Sequence, residues 1–323
     1  MVWTEYSYIN ELHTKTYLLE AMVNSMHQKE FDSAIHRSGQ IKSINKNTTQ
    51  WIQNESSSGV ILASWFTYVK DPHRMIKVPD TIVYIWKFYN TIRFLGLRAV
   101  IFHDHLPPDF VVQYATDKIS FQKIQPDEYF YPNDLRFTIY DKFLEQHSFE
   151  WILMTDVRDV YFNSDPIARM STNPKNVSLY ISLDSGTFES NPWMKDHMMK
   201  CYPERIRSWT DEWGLRIFNC GVWGGHQSVI RCLLNYVVNE LTMVVKGRGF
   251  CDMGTMNWWV RFGNCADKTD LEENFVAAGF VNPFGEECRN EKYSIIHNKC
   301  YDCMDYDCSN PITGKIVQFL KDI

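Results

Sequence analysis

No cysteine occurs in the first 200 residues of this 323-residue chain; all nine lie between Cys201 and Cys308. Cys300, Cys303 and Cys308 crowd the end. Three cysteines without a well-spaced fourth ligand make a poor zinc signature. The pattern therefore reads as disulfides formed in an oxidising lumen, with at least one thiol left over from the odd count. Apolar runs of about 18 residues, the length of a membrane span, are missing. The start, Met1-Val-Trp-Thr-Glu, lacks the basic segment and apolar core of a signal peptide. Membrane attachment is thus expected only through an anchor that these residues do not display. Positive charge is scarce too. Lys and Arg total 33 against 39 Asp and Glu, for a net charge of −6 and a pI near 5.9. That balance excludes the basic stripe of a nucleic-acid binder. The first strand is followed by Val69-Lys-Asp-Pro-His-Arg74 rather than Gly-x-Gly-x-x-Gly, which removes a dinucleotide-binding dehydrogenase. No Gly-x-Ser-x-Gly elbow occurs, which removes a serine hydrolase.

What is present suffices for a large core: 45% hydrophobic, 15% aromatic and 22% charged residues exclude global disorder. Eleven Trp and seventeen Tyr serve either core packing or a pocket that stacks on sugars or bases. Sequons at Asn47, Asn54 and Asn176 fit a secretory route, so a Golgi or ER lumen is the expected compartment. A cytosolic or viral origin fits the missing leader equally.

The chain divides near Gly59. Residues 1–58 are polar, with an amphipathic helix expected over 6–26 (Ile9, Leu12, Tyr17, Leu18, Met22) and a linker over 45–58. Residues 59–323 carry the main domain and the Cys-rich tail. There, strands are expected over 60–66, 98–102, 119–124, 151–156, 178–183 and 217–223. Helices are expected over 82–95, closed by Gly96, then 135–146, 227–245 and 254–260. Strands alternating with helices give an α/β fold with a parallel sheet covered on both faces.

The stretch Trp151-Ile-Leu-Met-Thr-Asp156-Val-Arg-Asp159 carries the clearest chemistry. A short apolar run ending in acid reads as a buried strand, and ligands gather at the carboxyl ends of such strands. Two carboxylates there suit Mg²⁺ or Mn²⁺, which take one or two protein carboxylates plus phosphate oxygens. His297 ends the short run Ser294-Ile-Ile and is either a third ligand or a structural histidine. Lys299 beside it offers a point charge to phosphate. Asn219-Cys-Gly221-Val-Trp-Gly224-Gly225-His226 places glycines where a strand bulges or another group approaches closely. Asp252 either caps the helix containing Asn257 or points its carboxylate at an acceptor hydroxyl.

In this order, the motifs resemble nucleotide-sugar-dependent glycosyltransferases of the GT-A fold, over roughly residues 59–299. They are a first strand ending Ala63-Ser64-Trp65-Phe-Thr67, the acidic strand end, Phe-Asn-Cys-Gly-Val, Asp252-x-x-x-x-Asn257 and a late strand ending in His. The resemblance implies a Rossmann-like, mostly parallel sheet flanked by helices, here with an N-terminal helical extension. It implies a hexosyl- or pentosyltransferase that takes a UDP- or GDP-sugar donor and a carbohydrate or glycoconjugate acceptor. It implies Mn²⁺ or Mg²⁺ on Asp156, Asp159 and His297, with base and ribose over Ala63, Ser64, Trp65 and Thr67. Asp104 at the second strand's end is expected to meet the nucleotide, and Arg136, Arg158 and Lys299 the diphosphate. Arg158 stands where the family's second acid usually falls, and Asp159 joins Asp156 only if the chain kinks after the strand. Asp252 is the expected base of an inverting reaction, with Asn257 or Asn219 orienting donor or acceptor. A retaining reaction needs no such base, and the sequence leaves both open. Two rivals remain. His103-Asp104-His105 suggests a metal-dependent phosphoester hydrolase, and Arg158 suggests a decayed, carbohydrate-binding relative.

Overall fold

The computed structural model describes residues 59–71, 75–126, 130–172, 177–205, 214, 216–244, 248–263, 271–272 and 295–297. The N-terminal extension, Lys299, the three sequons and the Cys300–Cys308 cluster lie outside them. In chain order the elements begin with β1 (Gly59–Trp65), a 3-10 turn (Ile82–Ile85), α1 (Trp86–Leu95), β2 (Ala99–His103), α2 (Pro108–Tyr114) and β3 (Ile119–Lys123). Then come α3 (Pro132–Gln146), β4 (Trp151–Thr155), β5 (Val160–Phe162), α4 (Pro166–Ser171), β6 (Leu179–Thr187) and α5 (Pro192–Cys201). The last are β7 (Arg216–His226), α6 (Gln227–Asn239), a π turn (Glu240–Val244), α7 (Asp252–Phe262), β8 (Leu271–Glu272) and β9 (Ile295–His297).

Seven strands form one sheet in the order β3-β2-β1-β4-β7-β6-β8, and β5 pairs with β9. Strands β3, β2, β1 and β4 are mutually parallel. Both faces of β1 are buried, which is why Val60-Ile-Leu reads as a continuous apolar run rather than an alternation. Val60 and Leu62 join Ile152, Met154, Phe137, Leu233 and Trp259 in one core. Ile61, Ala63 and Trp65 join Ile85, Phe88, Ile101 and Ile167 in the other. Helices therefore cover the sheet on both sides. Gly96, at φ 64°, closes α1 as expected, in a conformation that favours glycine.

The sheet is mostly parallel, as expected; β7 is the exception within it and runs antiparallel to both β4 and β6. Its first residues lie at the end of the sheet where β4 finishes. Gly224 and Gly225 let β7 squeeze between its neighbours. A Cβ on Gly224 would lie 2.4 Å from the Ile152 carbonyl oxygen, and one on Gly225 would lie 2.2 Å from that of Ser178.

Candidate active site

From β1 the chain progresses through β2 to β3 on one side, while β4 lies on the other. The carboxyl ends of β1 and β4 thus flank a topological switch point, where open α/β sheets form their crevice. Asp156 is the first residue past β4. Its N–H donates to the Gly221 carbonyl at 2.7 Å, which prolongs the β4–β7 pairing up to the acid itself. Its side chain is 36% exposed.

Arg136, on the second turn of α3, organises the acids. Its Nη1 donates to Asp156 Oδ1 at 2.5 Å and its Nη2 to Asp252 Oδ2 at 3.0 Å. Its Nε donates to the Asn133 carbonyl. Burial opposes the guanidinium charge, but Asp156 and Asp252 outweigh burial and hold its pKa above the ordinary value. Arg136 was expected to reach a diphosphate; instead its nitrogens are engaged inside the protein. Asp252 is 2% exposed and sits in the first turn of α7, whose N-cap is Cys251. Asp252 is thus not the cap, and its carboxylate faces Arg136.

Sequence reasoning missed Asp134. Both of its oxygens accept the Cys251 N–H, at 3.0 and 3.3 Å. Burial, followed by the neighbouring Asp252, lifts its carboxyl to about 8; backbone N–H groups and Arg136 only partly offset this. The Cys201–Cys251 disulfide anchors the same helix start to the end of α5, in keeping with the expected use of cysteine. Cys220 is a buried free thiol, pushed well up by burial and by Asp252. The available signal for Asp134 was Tyr131-Pro132-Asn-Asp134, a proline-led helix start with an acid in its first turn.

Beyond Asp156 the chain bends at 157–159 and enters β5 at Val160. This is the kink that Asp159 required. Strand β9 is the expected late strand ending in His, and its register sets His297 opposite Val160, the residue after Asp159. Among the described residues, no three His, Cys, Asp or Glu side chains converge to hold a metal ion. Arg158 lies over the Tyr84 ring, 5.6 Å from its centroid. Asp165 caps α4 by accepting the Ile167 and Ala168 N–H groups.

At the end of β1 the backbone does the binding. Thr67, Tyr68 and Val69 direct successive N–H groups at the buried Asp104 carboxylate, at 2.8, 2.9 and 3.1 Å, and the Thr67 hydroxyl adds another contact. Such a nest of N–H groups suits an anion, and here a side chain of the chain fills it. Asp104 therefore shapes this loop. Ala63 and Trp65 are core residues, with Trp65 donating to the Pro79 carbonyl and stacking on Tyr84. Ser64 is half-buried. Tyr68, which sequence reasoning passed over, is 60% exposed, with Lys77 4.3 Å from its ring centroid and His105 beside it.

Asn219 and Asn257 are buried and engaged. Asn219 Oδ1 accepts the Gly221 N–H, and its amide donates to Asp184. It stands where the β6–β7 register shifts, next to the backbone that meets Asp156. Asn257 donates to the Phe218 and Met253 carbonyls and accepts the Phe218 N–H, riveting α7 to β7. The His103-Asp104-His105 cluster does not converge either. Burial first, then Lys123 and His105 against an opposing Asp104, hold His103 down to about 4. Its Nδ1 accepts the Leu106 N–H.

Fold and site define an α/β protein with a mostly parallel sheet, flanked by helices and carrying an acid cluster at its switch point. No protein-family model matches the sequence, and no curated protein matches it. Among solved structures, the chain is similar to the galactosyltransferase LgtC in complex with donor and acceptor sugar analogues. Identity is 11%, the match covers 82% of this chain and 96% of that one, and the TM-score is 0.42. It is also similar to the active-site mutant Q189E of LgtC, at 11% identity, 80% and 95% coverage and a TM-score of 0.44.

Proposed function

We propose that this chain is a glycosyltransferase of the GT-A type, moving a sugar from a nucleoside-diphosphate donor to a carbohydrate or glycoconjugate acceptor. The observation that carries this reading is Asp156 at the switch point between β1 and β4, where a nucleotide-binding crevice belongs. The exposed ring of Tyr68, at the end of β1, is the surface on which the donor base stacks. The 67–69 loop, fixed by Asp104, sets the position of that ring.

Asp156 and Asp159 fit a hard divalent cation, which needs only one or two carboxylates when phosphate oxygens complete its shell. His297, whose backbone pairs with Val160, is the proposed further ligand, an imidazole being of suitable type. These residues would hold Mn²⁺ or Mg²⁺, which would supply positive charge against a departing nucleoside diphosphate. Asp156 and Asp252 share a single guanidinium, so two carboxylates face one positive charge and the cluster favours a further cation. In this proposal Arg136 and Asp252 are positioning residues: Asp252 holds Arg136, and Arg136 aims Asp156. Asn219 steadies the β7 backbone against which Asp156 is set, and Asn257 fixes the start of α7.

The test is slow hydrolysis of UDP- and GDP-sugars without acceptor, followed by release of nucleoside diphosphate. Turnover with Mn²⁺ that disappears in Asp156→Ala supports the reading. Release of phosphate from simple phosphate esters, with no action on any sugar nucleotide, overturns it.

A further inference from the structure

Two large rings stand exposed near the acid cluster: Tyr131, at 47%, and Trp193, at 43%. They are the ends of a continuous aromatic series. Trp193 stacks on His197 at 4.9 Å and 23°, His197 meets Phe250 at 5.8 Å, and Phe250 meets Tyr131 edge-on at 6.0 Å. Each ring is mounted on something rigid. His197 is buried, and its Nε2 accepts the Gly254 N–H in the first turn of α7. The Tyr131 carbonyl accepts the Asp134 and Leu135 N–H groups that open α3. Phe250 adjoins the disulfide-bonded Cys251 and also faces Lys200. The series therefore crosses the two helix starts that carry Asp134, Arg136 and Asp252.

A fixed, half-exposed ring has already lost its conformational freedom, so a ligand that covers it gains apolar burial at little further ordering cost. Trp and Tyr combine a broad apolar face with a polar edge. A pyranose has the matching form: one face of C–H bonds and a rim of hydroxyls. The donor base is already assigned to Tyr68, beyond β1. The aromatic series adjoins the helix start that carries Asp252: Phe250 lies two residues before it, and His197 accepts the Gly254 N–H two residues after it.

We propose that Trp193 and Tyr131 form the acceptor subsite, holding the ring faces of an oligosaccharide of at least two sugar units. This rests on the transferase reading but is tested apart from it. Saturation-transfer NMR with a panel of soluble hexose and N-acetylhexosamine oligosaccharides, without donor, detects sugar protons that touch the protein. The expected result is transfer to C–H protons of at least one oligosaccharide, with affinity about tenfold weaker in Trp193→Ala and in Tyr131→Ala. Met199→Ala, an exposed neighbour on α5, keeps the wild-type signal, and unchanged melting curves show that each variant is folded. Transfer that survives both ring deletions, or no transfer from any oligosaccharide, overturns the subsite. So does a Trp193-dependent response to UDP or GDP in place of sugars. Oligosaccharide binding that needs Trp193, in a protein that binds no sugar nucleotide, keeps the subsite and removes the transferase reading.

Discussion

Replacing Arg136 with Met removes the cation that two acids share while keeping most of the apolar stem. The two ion pairs it loses are unequal. Asp156 is 36% exposed, so water and salt screen its pair, which contributes at most about 1 kcal/mol. Asp252 is 3% exposed at its side chain and would keep a buried charge with its partner gone. Breaking such a buried pair costs about 3–5 kcal/mol. The expected loss for Arg136→Met is therefore about 3–5 kcal/mol, most of it from stranding Asp252. Adding Asp252→Asn removes the stranded charge, so the double variant should recover at least half of that loss. Equilibrium unfolding in urea at neutral pH, over wild type, both single variants and the double variant, measures the coupling directly. A loss below about 1 kcal/mol for Arg136→Met, or a double variant no more stable than that single one, refutes Arg136 as the keystone of the cluster.

Three more outcomes follow from the same geometry. The Asp134 carboxyl is raised to about 8, so between its unfolded value of 3.8 and about 8 the native state holds a proton that the unfolded chain has released. Stability should fall as pH rises through that window, by up to about 1.4 kcal/mol per pH unit. Melting curves of Asp134→Asn should flatten this slope, and an unchanged slope contradicts the assignment. His103 is lowered from 6.5 to about 4, so its contribution is complete above 6.5 and is lost as pH falls towards 4. His103→Gln should lose less stability over that acid range, read by the same melts. Gly224→Ala would drive a Cβ into the β4 backbone, and soluble expression should collapse. A folded Gly224→Ala variant would show that β7 does not pack as tightly as described.

Elements that announce themselves by local pattern were legible in the sequence. Strands β1, β2 and β4 are short apolar runs because helices cover both sheet faces, and α1 ends at a glycine in the left-handed conformation. Short helices were less visible. The six-residue α4 spans too few turns for a periodic signal, yet Asp165-Pro166 there, like Asn191-Pro192 at α5, is a capping side chain followed by a first-turn proline. The direction of β7 could not be read, because its composition is the same whichever way it runs. Asp156 was found because a charge ends an apolar strand. Asp252 meets Arg136, and Asp134 meets the Cys251 N–H, only when α3 and α7 come together, contacts between residues 116 and 117 apart. Asn257 and Asp104 looked like ligand-binding groups because polar side chains near strand and helix ends have two uses. Here most of their hydrogen bonds go to backbone.

The central claim is tested most directly by thermal unfolding with a panel of UDP- and GDP-sugars, each with and without Mn²⁺. A ligand that binds only the native state at about 100 times its Kd adds about 2.7 kcal/mol, which shifts the melting curve visibly. The account predicts a shift with at least one sugar nucleotide that requires Mn²⁺ and vanishes in Asp156→Ala. No shift with any of them, or one that Asp156→Ala leaves intact, contradicts it.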